Sequence, residues 1–224
     1  DTVSVLDTVT NTITATIGGF TNPSGVAVSP DGTRAYVTNA GGASVSVLDT
    51  ATNTITATIG GFTTPQAVAV SPDGTRAYVT NRGGASVSVL DTVTNTITAT
   101  VGGFTNPWGV AVSPDGTRAY ITNAGGTSVS VIDTDPTSAA YNTVTDTIIV
   151  GRSPEGIAVS PEGTRVYITR YYRDGLPGSV SVIDTATNQV TGTITDVDFP
   201  VGVAVSPDGT RAYITNTGNG TVSV

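Results

Sequence analysis

The chain has 224 residues, 38 % of them hydrophobic, and a formal charge of −8, enough for one sizeable core. All of its basic residues are Arg, and so acidic a surface argues against non-specific binding to nucleic acid or anionic lipid. His and Cys are absent, which removes the usual general base, the commonest metal ligand and any disulfide. No apolar run approaches the roughly 18 residues of a membrane helix. Met is absent and no signal peptide is visible, which points to a processed product or an excised domain.

In chain order, 2–6 and 12–17 read as two strands of alternating character. A turn-and-strand phrase then begins at Ser29 and recurs at Ser71, Ser113, Ser160 and Ser206, in steps of 42, 42, 47 and 46 residues. Its fullest form is Ser113-Pro114-Asp115-Gly116-Thr117-Arg118-Ala119-Tyr120-Ile121-Thr122-Asn123. Pro sets φ in this turn, and Gly accepts the positive φ that follows. One period, taken from Pro65, holds four period-two segments, 67–70, 76–80, 86–90 and 96–101, called A to D. Four short strands joined by tight polar turns make an antiparallel meander, and its repetition at this spacing predicts a β-propeller. The expectation is therefore an all-β, single-domain propeller over 1–224, with about five four-stranded blades. The repeats fall near 23–64, 65–106, 107–153, 154–199 and 200–224, the last completed by 1–22. The chain closes with A (201–205), B (211–215) and C (221–224). The last blade is expected to close with strands from both termini, which removes open sheet edges. Strand C is supplied twice. Either the chain limits fall inside a repeat, or the spare strand pairs with a neighbouring chain.

Tyr36-Val37-Thr38-Asn39 and Tyr78-Val79-Thr80-Asn81, with variants at Tyr120, Tyr167 and Tyr213, spell a signature that resembles the YVTN β-propeller family. The text before it (Gly25-Val26-Ala27-Val28-Ser29-Pro30-Asp31-Gly32) and after it (Ser44-Val45-Ser46-Val47-Leu48-Asp49-Thr50) is similar too, over essentially the whole chain. The resemblance implies a propeller of four-stranded blades in a secreted, periplasmic or surface-layer protein, often of seven blades. Five repeats depart from that number, so the chain is either a five-bladed ring or an arc of a larger one. The family has no single activity, so function has to be argued from particular residues.

Groups present in every copy are read as parts of the blade. These are the turn acids Asp31, Asp73, Asp115, Glu162 and Asp208, the following Arg34, Arg76, Arg118, Arg165 and Arg211, and Asp7, Asp49, Asp91, Asp133 and Asp184 at the ends of the C strands. Two positions vary against this background. After the Pro that opens strand A stand Ser24, Gln66, Trp108, Glu155 and Val201; just beyond strand B stand Ala40, Arg82, Ala124, Tyr171 and Thr217. Both fall on the face that carries the D–A and B–C connections, and loops on a rigid scaffold are where binding groups sit. The fourth repeat lengthens its B–C loop with Arg170, Tyr171, Tyr172 and Arg173, residue types typical of interface anchors. The candidate binding set is Gln66, Arg82, Trp108, Glu155, Arg170, Tyr171, Tyr172 and Arg173. The alternative for this set is a decorated loop, with Trp108 plugging the central channel. An insertion at Asp135–Tyr141 lies on the opposite face and is assigned no chemistry. Asp196 and Asp198 are a poor basis for a Ca²⁺ site.

The sequence points to a non-enzymatic extracellular, cell-surface or periplasmic scaffold that binds protein or glycan. No cofactor, nucleic-acid partner or membrane insertion is expected. Two alternatives stand beside it. One is a propeller-type lyase or hydrolase at the funnel mouth, in which Glu155, a Tyr or an Arg works without His. The other is a self-assembling filament or surface-layer subunit that uses the surplus strand.

Overall fold

The computed structural model describes residues 1–171 and 178–224, and every regular element among them is a β-strand. β1 (Thr2–Asp7) and β2 (Thr12–Gly18) form a hairpin. Blade 1 comprises β3 (Pro23–Val28), β4 (Arg34–Asn39), β5 (Ser44–Asp49) and β6 (Thr54–Gly60). Blade 2 comprises β7 (Pro65–Val70), β8 (Arg76–Asn81), β9 (Ser86–Asp91) and β10 (Thr96–Gly102). Blade 3 comprises β11 (Pro107–Val112), β12 (Arg118–Asn123), β13 (Ser128–Asp133) and β14 (Val144–Ile149). Blade 4 comprises β15 (Pro154–Val159), β16 (Arg165–Arg170), β17 (Gly178–Asp184) and β18 (Gln189–Val197). Blade 5 holds β19 (Pro200–Val205), β20 (Ala212–Asn216) and β21 (Thr221–Ser223). Each sheet is an antiparallel meander in chain order, and the inner strands β3, β7, β11, β15 and β19 stand side by side. This is the expected all-β, five-bladed propeller.

The termini are paired more locally than the sequence suggests. β21 takes the outer edge of β20, while β1 is hydrogen-bonded only to β2. The hairpin that was expected to complete the last blade instead packs on blade 1, with Val3 and Ile17 against Phe20, Val37 and Leu48. β20 already carries β21 on its outer edge, and the inner strands of blades 5 and 1 do not pack against each other as those of successive blades do, so the hairpin stays with blade 1.

The core lies between blades rather than within any one of them. Tyr36, Val45, Val47, Ile59 and Phe62 of blade 1 meet Val68, Ala77, Val79 and Leu90 of blade 2. The same pattern recurs between blades 2 and 3, around Tyr78, and between blades 3 and 4, around Tyr120. In strand B of blades 1 to 3 the residues Tyr, Val or Ile, and Thr are all fully buried, because both faces of the strand are covered; in blade 5 Tyr213 and Thr215 are exposed.

The repeated polar residues prove to be joints of the scaffold. In each inner strand the ladder skips the two residues after the opening Pro, as between Pro107↔Asn123 and Val110↔Ile121. The unpaired N–H is taken instead by the buried Thr of strand B, as in Gly109 N to Thr122 Oγ1 at 2.8 Å. The same hydroxyl then donates across to the next blade. Thr38 donates to the Gln66 carbonyl at 3.1 Å, Thr80 to Trp108 at 2.8 Å, Thr122 to Glu155 at 2.7 Å and Thr169 to Val201 at 2.7 Å. One hydroxyl thus satisfies a bulged N–H and ties two blades together. Asn39, Asn81 and Asn123 work within a blade. Each amide group donates to two Ser hydroxyls of strand C and accepts a loop N–H.

The turn acids are pinned in the same repetitive way. Asp31 is held below the usual carboxylate range by the Ser29 hydroxyl first, then by the backbone N–H and hydroxyl of Thr33. Asp208 is held down likewise by Ser206 and Thr210. At the C-strand ends, Asp7, Asp49, Asp91 and Asp184 are lowered chiefly by the backbone N–H groups they accept. A carboxylate with a depressed folded-state pKa stabilises the fold once ionised, and that stability is lost as pH falls through the folded value. The urea midpoint is therefore expected to hold steady from neutral pH down to about 5, and to fall below about 4, where unfolded carboxylates titrate. A midpoint that rose on acidification would contradict the capping role of these turns.

Candidate functional site

The variable residues sit where the ladder skips. Gln66, Trp108 and Glu155 each follow the opening Pro of an inner strand, so their side chains are freed from the sheet's alternation on the D–A and B–C face. The chain enters each of these strands through a non-Gly residue at positive φ: Asn22, Thr64, Asn106, Ser153 and Phe199, between 48° and 55°. Gly109 is needed next to Trp108 because a Cβ there would lie 2.6 Å from the Glu155 carbonyl oxygen.

Gln66 reaches back one blade, and its Nε2 donates to the Ser24 hydroxyl. Arg82, just beyond β8, lies over the half-buried Trp108 ring, 5.0 Å from guanidinium carbon to centroid, and its Nε donates to Asn106 Oδ1 at 3.4 Å. Tyr171 meets Phe199 at a centroid distance of 5.3 Å and an interplanar angle of 49°. The two ring contacts are built alike: a residue just past strand B of one blade leans on the start of the next blade's inner strand. Glu155 stands half-buried at the head of β15. Tyr172 and Arg173 lie outside the described residues.

Arg170 is placed differently from the sequence reading. It stands where blades 1 to 3 carry Asn, and its Nη1 donates to the Val150 carbonyl at 2.7 Å. Its guanidinium packs on Gly151, where a Cβ would sit 2.7 Å from Cζ. Blades 1 and 2 fill their cores here with Phe62 and Phe104, and blade 3 supplies only Val150. Arg170 is thus turned inward to hold the loop that Asn holds elsewhere. Among the described residues its Nε and the Ser179 hydroxyl are left buried without partners, because a guanidinium cannot reproduce the pattern of an amide.

The opposite face holds what sequence reading missed. Two clefts open there between successive blades. The first, of about 320 Å³, lies between blades 1 and 2 beside Arg34, Tyr36, Asp73 and Thr92. The second, of about 420 Å³, lies between blades 2 and 3 beside Asp73, Arg76, Tyr78, Asp115, Thr134 and Asp135. Arg34 clasps the next blade by donating to the Thr92 carbonyl at 2.6 Å, and Arg118 does the same to Thr185 at 2.6 Å. Arg76 does not. The 135–141 insertion brings Tyr141 beneath it, with the guanidinium 5.2 Å from the ring centroid. Burial pushes the nearby Tyr78 hydroxyl up to about 12, and Tyr141 adds to the effect. The signal for this arrangement was present in the insertion's Tyr, but its partner lies in another repeat. Among the described residues, no group of three or more acidic side chains gathers as a metal site.

Comparison with known proteins supports the fold. No family profile matches the sequence, and no curated protein matches it. Many solved structures do. Hydrazine synthase from Kuenenia stuttgartiensis superposes with a TM-score of 0.81 at 27 % identity, covering 88 % of this chain and 56 % of that one. A functionally unknown protein from Desulfotomaculum acetoxidans gives a TM-score of 0.81 at 19 % identity, over 99 % of this chain and 74 % of that one. The chain therefore spans little more than half of the hydrazine synthase chain it resembles.

Proposed function

We propose that this protein is a non-enzymatic binding scaffold of the YVTN type, acting at a cell surface or outside the cell through its D–A and B–C loop face. The observation that carries the reading is Arg82 stacked on Trp108. The pair joins two blades at positions where the copies diverge, above joints that hardly change. A guanidinium already seated on an indole covers one ring face and keeps N–H groups for an acceptor. That arrangement favours a carboxylate-bearing protein partner over a sugar stacked on the bare ring. The near-identity of the blades supports the same reading, since repeated joints make a rigid platform and supply no asymmetric catalytic centre.

The test is to screen acidic peptides and glycans for binding and then compare Trp108→Ala and Arg82→Ala. Each is expected to weaken capture about tenfold or more. Because the stack is half-exposed and worth about 0.5–1 kcal/mol, the melting temperature should move only slightly. A large fall in melting temperature with unaltered binding would assign Trp108 to packing instead.

The similarity to a hydrazine synthase chain favours a second reading, an enzyme with its site at the funnel mouth. Such a site would have to use Glu155, Tyr171 and Arg side chains, since the chain has no His or Cys.

A further inference from the structure

We infer that the cleft between blades 2 and 3, on the face opposite the Arg82–Trp108 pair, binds a neutral sugar. Three observations converge on it. First, Arg76 lacks the clasp that Arg34 and Arg118 make; Arg165 and Arg211 lack it too, but they stand exposed, whereas Arg76 is half-buried on the wall of this cleft. Arg34 and Arg118 spend a guanidinium N–H on a carbonyl of the following blade, while among the described residues the Arg76 side chain reaches no acceptor. Tyr141 of the 135–141 insertion lies under its guanidinium instead. Thr134 stays anchored as its counterparts are, with its N–H on the Thr117 carbonyl and its hydroxyl on the Gly116 carbonyl.

Second, the same insertion supplies an acceptor. Asp135 Oδ1 receives the N–H and hydroxyl of Thr137, and Oδ2 receives neither. Asp73 and Asp115, on the cleft walls, are each committed on Oδ1 to their turn Ser and Thr. Third, Pro72 and Pro136 give the cleft apolar surface beside its polar groups.

The chemistry of the ligand follows from what these groups lack. Arg76 needs an acceptor, and Asp135 needs a donor. Asp73, Asp115 and Asp135 outnumber the one guanidinium on the cleft walls, which disfavours an anion, and Asp73 and Asp115 are already committed to their turns, which leaves Asp135 and Arg76 as the pair open to a ligand. A hydroxyl both donates and accepts without charge, so a polyhydroxylated neutral ring meets every requirement. The blade 1–2 cleft lacks both features, because Arg34 is bonded to Thr92 and no insertion lines it.

The experiment uses the whole protein and saturation-transfer NMR against a panel of neutral hexoses, pentoses, N-acetylhexosamines and their disaccharides. Glucuronate serves as the anionic probe and spermidine as the cationic one. At least one neutral sugar is expected to bind in the millimolar range, and Arg76→Ala and Asp135→Asn should each weaken it about tenfold, as the loss of one charge-assisted hydrogen bond does. Arg118→Ala and Trp108→Ala should leave it unchanged, which separates this cleft from the loop face. Asp135 sits on a surface insertion, so its variant tests the idea even if Arg76→Ala unfolds. The inference is overturned if no neutral member binds, if glucuronate or spermidine binds more tightly, or if Asp135→Asn has no effect.

Discussion

Thr122→Val is expected to lower the unfolding free energy by about 2–4 kcal/mol, a large effect for the exchange of one hydroxyl for a methyl. Thr122 is fully buried and does two things with one oxygen. It accepts the Gly109 N–H at 2.8 Å and donates to the Glu155 carbonyl of the next blade at 2.7 Å. The shape of Val is nearly the same, so packing is preserved. What changes is that a buried N–H and a buried C=O lose their partner together, each costing about 1–3 kcal/mol. In a repeat architecture stability is roughly a sum over blades and their interfaces, so the damage should fall on the joint between blades 3 and 4. Thr122→Ser keeps the hydroxyl and should recover most of the loss. Urea denaturation of the three proteins reads the difference. A Val variant as stable as the parent would mean that the bond between blades contributes nothing and that packing alone holds them.

Gly156→Ala is expected to cost about 3 kcal/mol or more, at the upper end for adding one methyl to a packed site. A Cβ on Gly156 would overlap the Val201 carbonyl oxygen of blade 5, and would also stand 2.9 Å from Thr169 Oγ1 and 3.2 Å from Gly202 Cα. Backbone atoms of the next blade cannot swing aside as a side chain can. The inner strands approach so closely here because the Thr169 hydroxyl draws the Val201 carbonyl inward. Blade 2 carries Ala67 at the matching place, so the penalty belongs to this tight joint and not to the repeat as such. Gly102→Ala is the control. It meets nothing within 4 Å and has no positive φ, so it should be neutral or stabilise by about 0.5–1 kcal/mol. Equal effects at the two positions would refute the close approach of blades 4 and 5.

Taken together, the two variants explain why the Tyr-Val-Thr-Asn text is repeated. Tyr and Val fill the space between blades, Thr joins one blade to the next, and Asn holds its own loop and outer strand. Sequence reading had assigned the repeated groups to structure, which their bonding agrees with, but it had no means of saying that Thr faces the next blade. It placed Gln66, Arg82, Trp108, Glu155 and Tyr171 on one face, where the strand order puts them. It also counted Arg170 as a surface anchor, when the missing Phe in blade 3 leaves room for that side chain to turn inward. It passed over Tyr141 as part of a plain surface loop.

Alternation, turn residues and repeat length are local properties, and they were sufficient to specify the strands, the meander and the propeller. The tertiary structure decided where these groups end: Arg76 over Tyr141 and, among the described residues, with no acceptor, Arg170 turned to Val150, and the terminal hairpin resting on blade 1. The bond from Arg170 to Val150 spans 20 positions, and the clasp that Arg118 makes and Arg76 does not spans 67. Near-identical repeats offer several equivalent partners for each such contact, and only the packed arrangement of blades selects among them.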